Sequence, residues 1–182
     1  MKKIFGSRLK GFPQTVELLA DIDLAALQKA GILGIILDLD NTIISEDDQW
    51  VSSDAFNWID KAKHKNFNLF ILSNGRRHHR VKHWSDYFDI PALSLARKPI
   101  PCSFYKALNK MRLRSNQVIV IGDSFHTDVI GAWLSGCPVI QVASLPHPPR
   151  IWEKYVGHLI HRPYPGNRPL LPLNPGAHLQ NR

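Results

Sequence analysis

Short apolar runs and amphipathic stretches alternate along this chain at nearly regular spacing. The first run, 32–37 (Ile-Leu-Gly-Ile-Ile-Leu), is apolar at odd and even positions alike, the pattern of a strand covered on both faces. Further runs at 67–72, 92–96, 118–121 and 139–143 predict four more strands. Helical periodicity lies between them. The stretch 52–65 carries Phe56, Ile59 and Ala62 on one side and offers Ser52 or Ser53 as a cap. Stretches 76–87, 101–111 (opened by Pro101) and 128–134 (stopped by Gly136) predict three more helices. Ahead of the first strand, 15–30 reads as one or two short helices, capped by Asp21 or Asp23 and ended by Gly31. Strands alternating with helices in this way build βαβ units, so the expected class is α/β with a doubly wound parallel sheet. Past Pro146 prolines crowd and periodicity fades, which predicts an extended or weakly ordered tail. The expected organisation is an arm and helical lead-in over 1–30, a core domain over 31–145 and a tail over 146–182.

Composition narrows the setting. The chain has 182 residues, enough for one α/β domain with a real core. Its net charge of +8 points to polyanionic partners: nucleic acid, an anionic membrane or a phosphorylated substrate. Residues 1–14 hold four basic residues (Lys2, Lys3, Arg8, Lys10) and no acid. The tail holds five basic residues against one acid, Glu153. Two cysteines, Cys102 and Cys137, are too few for a disulfide framework, so a reducing compartment is expected. No run approaches the roughly 20 apolar residues of a spanning helix. The expectation is a cytoplasmic protein, or its organellar equivalent, that is soluble or peripheral on a membrane.

The polar residues at strand ends carry the chemistry. In open α/β sheets ligands bind beyond the carboxyl ends of the strands. Four clusters fall at such ends: Asp38 and Asp40; Ser73, Asn74 and Gly75; Lys98; and Asp123 with Asp128 five residues on. Together they suit phosphoryl transfer. A phosphate monoester is a dianion that a carboxylate approaches only once charge is neutralised. Asp38 and Asp123 would hold Mg²⁺ through oxygen ligands, helped by a backbone carbonyl and waters. Lys98 would add fixed positive charge. Ser73 and the N–H groups of Asn74 and Gly75 would bind phosphoryl oxygens, with Thr42 as a further donor. Asp38 and Asp40 point to one side of an extended segment, so one attacks phosphorus while the other handles the proton. Asp128 suits either an N-cap or support for the metal.

These motifs resemble the haloacid dehalogenase (HAD) superfamily: Asp-Leu-Asp-Asn-Thr at 38–42, Leu-Ser-Asn-Gly at 72–75, Ala-Arg-Lys-Pro at 96–99 and Gly-Asp-Ser-Phe-His-Thr-Asp at 122–128. The resemblance covers about 30–143. Within the superfamily (subclass IIIA) the chain is most similar to the YqeG-type subgroup, related to phosphatidylglycerophosphate phosphatases. It implies a HAD-like five-stranded sheet of order 3-2-1-4-5, an aspartyl-phosphate on Asp38, Asp40 as acid and base, and the Asp40 carbonyl as a metal ligand. An acid at 40 argues against the P-type ATPase and dehalogenase branches. Gly75 stands where many subgroup members carry a second Asn, which leaves leaving-group preference open.

Spacing bears on the substrate. Only 32 residues separate Asp40 from Ser73, and fewer separate Ser73 from Lys98, so neither gap holds a folded cap. In the family, capless members act on large or surface-presented phosphates. The expected substrate is therefore phosphatidylglycerophosphate at an anionic membrane surface. A soluble nucleotide or sugar phosphate is the alternative, and a non-catalytic basic binding domain ranks third. Nucleic acid is not an expected partner. His79 and His83, one helical turn apart in a basic run from Arg76 through Arg80 to Lys82, read as a solvated face rather than a zinc site. His158 and His161 read the same way. Trp58, Trp84 and Trp133 read as packing residues, and Trp50 as packing or as a residue lying over the site.

Overall fold

A computed structural model describes residues 15–148 and 153–173, and its centre is the predicted parallel sheet. The basic arm over 1–14 and the distal end of the tail lie outside the described residues. The chain runs β1 (Gly34–Leu37), β2 (Trp50–Val51), α2 (Ala55–His64), β3 (Asn68–Leu72), α3 (His78–Phe88) and β4 (Ala92–Leu93). It continues through α4 (Cys102–Met111), β5 (Val118–Gly122), α5 (Ile130–Leu134), β6 (Val139–Gln141) and β7 (Ala143–Ser144). A short helix α1 (Leu24–Lys29) precedes β1. Five strands form the sheet in the order β4-β3-β1-β5-β6, all parallel, which is the expected 3-2-1-4-5 order.

Alternation along the central strands explains both layers. Ile35 and Leu37 of β1, Leu69 and Ile71 of β3, and Ile119 and Ile121 of β5 join one buried cluster with Trp58, Ile59 and Trp84. Their neighbours Ile36, Phe70, Leu72, Val118 and Val120 join a second with Phe104, Ala107 and Ala132. Successive side chains of a strand face opposite ways, so a run apolar at every position fills both layers. Each such side chain contributes roughly 1.5–3 kcal/mol by leaving water. This sheet brings the ends of β1, β3 and β5 side by side.

Some local expectations hold and others change. Asp23 caps α1, its carboxylate accepting from Ala25 N–H at 2.8 Å, and Gly31 ends the lead-in with φ +81°. Neither Ser52 nor Ser53 caps α2; its N-cap is Asp54, at φ +55°. The strand predicted over 92–96 closes after Leu93, because Leu95 and Arg97 take left-handed backbone conformations that no strand continues. Trp133 is exposed rather than packed, and Trp50 sits on β2 away from the cavity described below.

The largest difference lies past Pro146. Instead of a wholly extended tail, the described part forms α6 (Glu153–Ile160), β8 (Arg162–Pro163) and β9 (Leu171–Pro172). β8 pairs in parallel with β7, and β9 pairs antiparallel with β2. Tyr164 Oη accepts from Ser53 N–H at 3.2 Å, and the Arg162 guanidinium donates to the Val16 carbonyl at 2.6 Å. Prolines hid this segment because they erase the periodicity from which elements are read.

The two cysteines sit in opposite environments. Cys102 is exposed at the start of α4, whereas Cys137 is buried and its thiol is pushed up to about 12 by that burial. One thiol per native chain should react rapidly with a disulfide reagent at pH 8, and two after denaturation. Equal rates for both in the native protein would contradict this packing.

Candidate active site

The carboxyl ends of β1, β3 and β5 open onto a polar cavity of about 780 Å³. Asp38, Asp40, Asn74, Gly75, Lys98 and Asp123 all line it, so the sheet gathers the predicted clusters in one place. Asp38 follows β1 directly and its N–H donates to the Ile121 carbonyl at 2.9 Å, which locks it against β5. From there the Lys98 ammonium reaches Asp38 Oδ1 at 2.5 Å and Asp128 Oδ1 at 2.6 Å. Thr42 Oγ1 donates to Asp38 Oδ2 at 3.1 Å, with Asp123 Oδ1 3.4 Å away.

Lys98 is positioned by the loop that follows β3. The Asn74 side chain accepts from Lys98 N–H at 2.7 Å and donates to the Lys98 carbonyl at 3.2 Å. The Asn74 amide thus clamps the lysine backbone, leaving its own N–H for a ligand. Ser73 Oγ donates to Asp40 Oδ2 at 2.7 Å and accepts from Gly75 N–H at 2.8 Å. A Cβ at Gly75 would fall 2.9 Å from Ser73 Oγ, so a side chain there crowds this contact.

Asp128 does not cap α5. It sits in the wide π-type turn at 125–129 and its carboxylate accepts from Ser124 N–H at 3.2 Å while facing Lys98. Gly122 makes room for it, since a Cβ there would lie 2.4 Å from the Asp128 carboxyl carbon.

Asp38, Asp123 and Asp128 are all buried, and each offers an oxygen within 4.8 Å of the others. Burial raises the Asp38 carboxyl well above the usual carboxylate range; Lys98 opposes this, and the neighbouring acids add to it. Burial raises Asp128 too, again opposed by Lys98. For Lys98, burial disfavours the charged form, but Asp128 and Asp38 outweigh it and hold the ammonium protonated. Once ionised, these three carboxylates outnumber the Lys98 ammonium, which pairs with Asp38 and Asp128 and leaves Asp123 to His161. An all-oxygen donor set of this kind fits a hard divalent cation.

A divalent cation should therefore stabilise the protein, by about 2.7 kcal/mol at a hundred times its Kd. The gain should be larger at pH 8 than at pH 5, because carboxyls raised by burial still hold protons at the lower pH and must lose them to bind metal. Melting curves with Mg²⁺ and with chelator at both pH values check this. No Mg²⁺-dependent shift at pH 8 would count against the site.

Three residues of the site depart from the sequence reading or lie outside it. Arg80 reads as part of a solvated basic face, yet it is buried and its guanidinium pairs with Asp40 and Asp48. A signal was available: Arg80, Trp84 and Phe88 share one helical stripe, so Arg80 stands in an apolar row. Ser144 Oγ donates to Asp123 Oδ2 at 2.6 Å, and His161 Nδ1 lies 3.0 Å from the same oxygen. Burial disfavours the His161 cation, but the Asp123 hydrogen bond and charge outweigh it and raise the imidazole. Nothing local in the sequence marks His161, because it reaches the site through the pairing of β8 with β7. His79 and His83 are exposed, as expected, and the His158 side chain lies outside the description.

The chain is similar to known proteins in sequence and in fold. Residues 95–150, spanning Lys98, Asp123 and Asp128, match the HAD-hydrolase-like family. The probable phosphatase YqeG of Bacillus subtilis is 34% identical over 116 residues, covering 64% of this chain and 67% of that protein. Among solved structures, a HAD-superfamily hydrolase from Ehrlichia chaffeensis superposes with a TM-score of 0.53 at 17% identity, covering 60% of this chain and 87% of that one. An uncharacterized protein from Listeria monocytogenes serotype 4b gives 0.54 at 18% identity, covering 66% and 85%. At these identities the structures speak for the fold alone.

Proposed function

The chain belongs to the HAD superfamily, and on that premise we propose that it is a Mg²⁺-dependent phosphomonoester hydrolase that acts through an aspartyl-phosphate on Asp38. The observation that carries this reading is the buried group of Asp38, Lys98, Asp123 and Asp128 at the adjoining ends of β1 and β5. Asp38, Asp123 and the Asp40 carbonyl would hold Mg²⁺, with Asp128 in support, and the ion would offset repulsion between the phosphate dianion and the attacking carboxylate.

The chain's own residues supply the rest. A carboxylate oxygen of Asp38 forms the bond to phosphorus as the phosphorus–oxygen bond to the leaving group breaks. Asp40 gives its proton to that leaving oxygen, releasing an alcohol. It then takes a proton from the water that attacks phosphorus, the Asp38–phosphorus link breaks, and inorganic phosphate leaves. Lys98, Ser73, Thr42 and the N–H groups of Asn74 and Gly75 bind the phosphoryl oxygens.

The proposed substrate is lipid-borne, phosphatidylglycerophosphate dephosphorylated to phosphatidylglycerol. Two features support this. Residues 41–67 hold only a loop, β2 and α2, so among the described residues no folded cap is inserted there over the cavity. Exposed Arg76, Arg77 and Arg97 line its rim, and each basic residue near an anionic surface contributes about 1 kcal/mol of attraction. Among the described residues no helix is long and apolar enough to cross a membrane, so the lipid would be met from the surface. Phosphate release from phosphatidylglycerophosphate in mixed micelles should greatly exceed release from a panel of nucleotides and sugar phosphates. Comparable rates on the soluble panel would shift the substrate to a soluble phosphate.

A further inference from the structure

Arg80 is buried on α3, and its guanidinium reaches across to the loop that follows β1. Nε donates to both oxygens of Asp48, at 2.8 and 2.9 Å. Nη2 donates to the Ser45 carbonyl at 2.8 Å, and Nη1 donates to Asp40 Oδ1. Asp48 is itself fixed by Trp84, whose Nε1 donates to its Oδ1 at 3.1 Å. The guanidinium is therefore held in one orientation from two sides. A planar fork so anchored fixes whatever third group it touches.

That third group is Asp40, and its two oxygens are treated differently. Oδ1 faces an arginine N–H that cannot turn away. Oδ2 faces the Ser73 hydroxyl, a donor that rotates freely about its own bond. A proton placed on Oδ1 would set an O–H against an N–H, donor against donor. A proton on Oδ2 meets no such conflict once the Ser73 hydroxyl turns to a phosphoryl oxygen. We propose that Arg80 is the positioning residue that assigns proton transfer to Oδ2 of Asp40, by occupying Oδ1 throughout. Ser73 covers Oδ2 in the free site and yields it when phosphate arrives. The inference rests on the reading of Asp40 as the acid–base residue and adds to it which oxygen acts and what holds it.

The test uses leaving groups of different need. An alkyl phosphate such as glycerol phosphate requires a proton on its departing oxygen, whereas 2,4-dinitrophenyl phosphate does not. The ratio kcat/KM reports transfer to Asp38 and not the later hydrolysis. In Arg80→Gln, kcat/KM for the alkyl ester should fall by about 10²-fold or more, the range of general-acid contributions, and that for the dinitrophenyl ester by less than about 5-fold. Arg80→Lys, which keeps the charge but not the fork, should fall between wild type and Gln in the same selective sense. Asp48→Asn loosens the anchor from outside the cavity, so it gives the same selective loss, smaller, if Arg80→Gln does not fold. Equal losses on both esters, or none, in variants that melt cooperatively would overturn the proposal. A wild-type protein that hydrolyses neither ester in Mg²⁺ would instead sink the phosphatase reading on which it stands.

Discussion

Asp38→Asn should lower Mg²⁺-dependent turnover of an aryl phosphate by about 10⁴-fold or more, the scale on which loss of an attacking group acts. The substituted amide keeps the shape of the carboxyl and can still meet Thr42 and Lys98, so the loss reflects chemistry rather than collapse. Stability should move the other way. Burial raises the Asp38 carboxyl well above its unfolded value. A group raised in this way supports folding below its unfolded pKa, and that support is lost as pH climbs through the folded value. In chelator at pH 8 the variant should therefore melt at or above wild type, and near pH 4 the difference should shrink. Turnover within tenfold of wild type would show that Asp38 is not the nucleophile. A melting point far below wild type at pH 8 would show that the carboxylate is needed for folding instead.

Lys98→Met should damage the fold as well as the reaction. The ammonium is almost fully buried between Asp38 and Asp128, and its loss leaves buried carboxylates without their cation. Breaking a buried pair by removing one partner costs about 3–5 kcal/mol, which for a chain of this size lowers Tm by roughly 6–20 °C. Desolvation and Coulomb terms nearly cancel in an intact pair, so the cost comes mainly from the acids left behind. Mg²⁺ should then recover part of the lost stability, more than it adds to wild type, because it meets the same uncompensated charge. Turnover should fall by about 10²–10³-fold even at saturating Mg²⁺, since a fixed donor aimed at the phosphoryl group is missing. An unchanged Tm in chelator would mean that Lys98 does not carry the charge balance assigned to it.

What could be read from the sequence follows from how far each contact reaches along the chain. The central strands were legible because residues such as Ile35, Ile36 and Leu37 are apolar without interruption, a pattern that needs cover on both faces. Asp38, Ser73, Lys98 and Asp123 were legible because sheet topology carries strand ends to a common edge whatever the intervening sequence. Arg80 reads as solvated because four Lys/Arg and three His crowd the eight positions 76–83, and only its register with Trp84 and Phe88 marks it as inward. His161 reads from the sequence as a solvated residue, whereas it is half-buried against Asp123. It sits 38 positions from Asp123, and the β7–β8 pairing that brings it there involves strands of two residues. The short fourth strand failed for a related reason: left-handed backbone at Leu95 and Arg97 comes from the turn into Lys98, and nothing in their side chains announces it.

The central claim is that phosphate passes through a covalent link to Asp38. Mixing the wild-type protein and Mg²⁺ with a ³²P-labelled aryl phosphate, quenching in acid within the first turnover and mapping the labelled peptide by mass spectrometry tests it directly. The expected result is an alkali-labile phosphoryl group on Asp38, absent from Asp38→Asn and still formed, though slow to clear, in Asp40→Asn. Turnover with no protein-bound label at any quench time, or with the label on another residue, would contradict it.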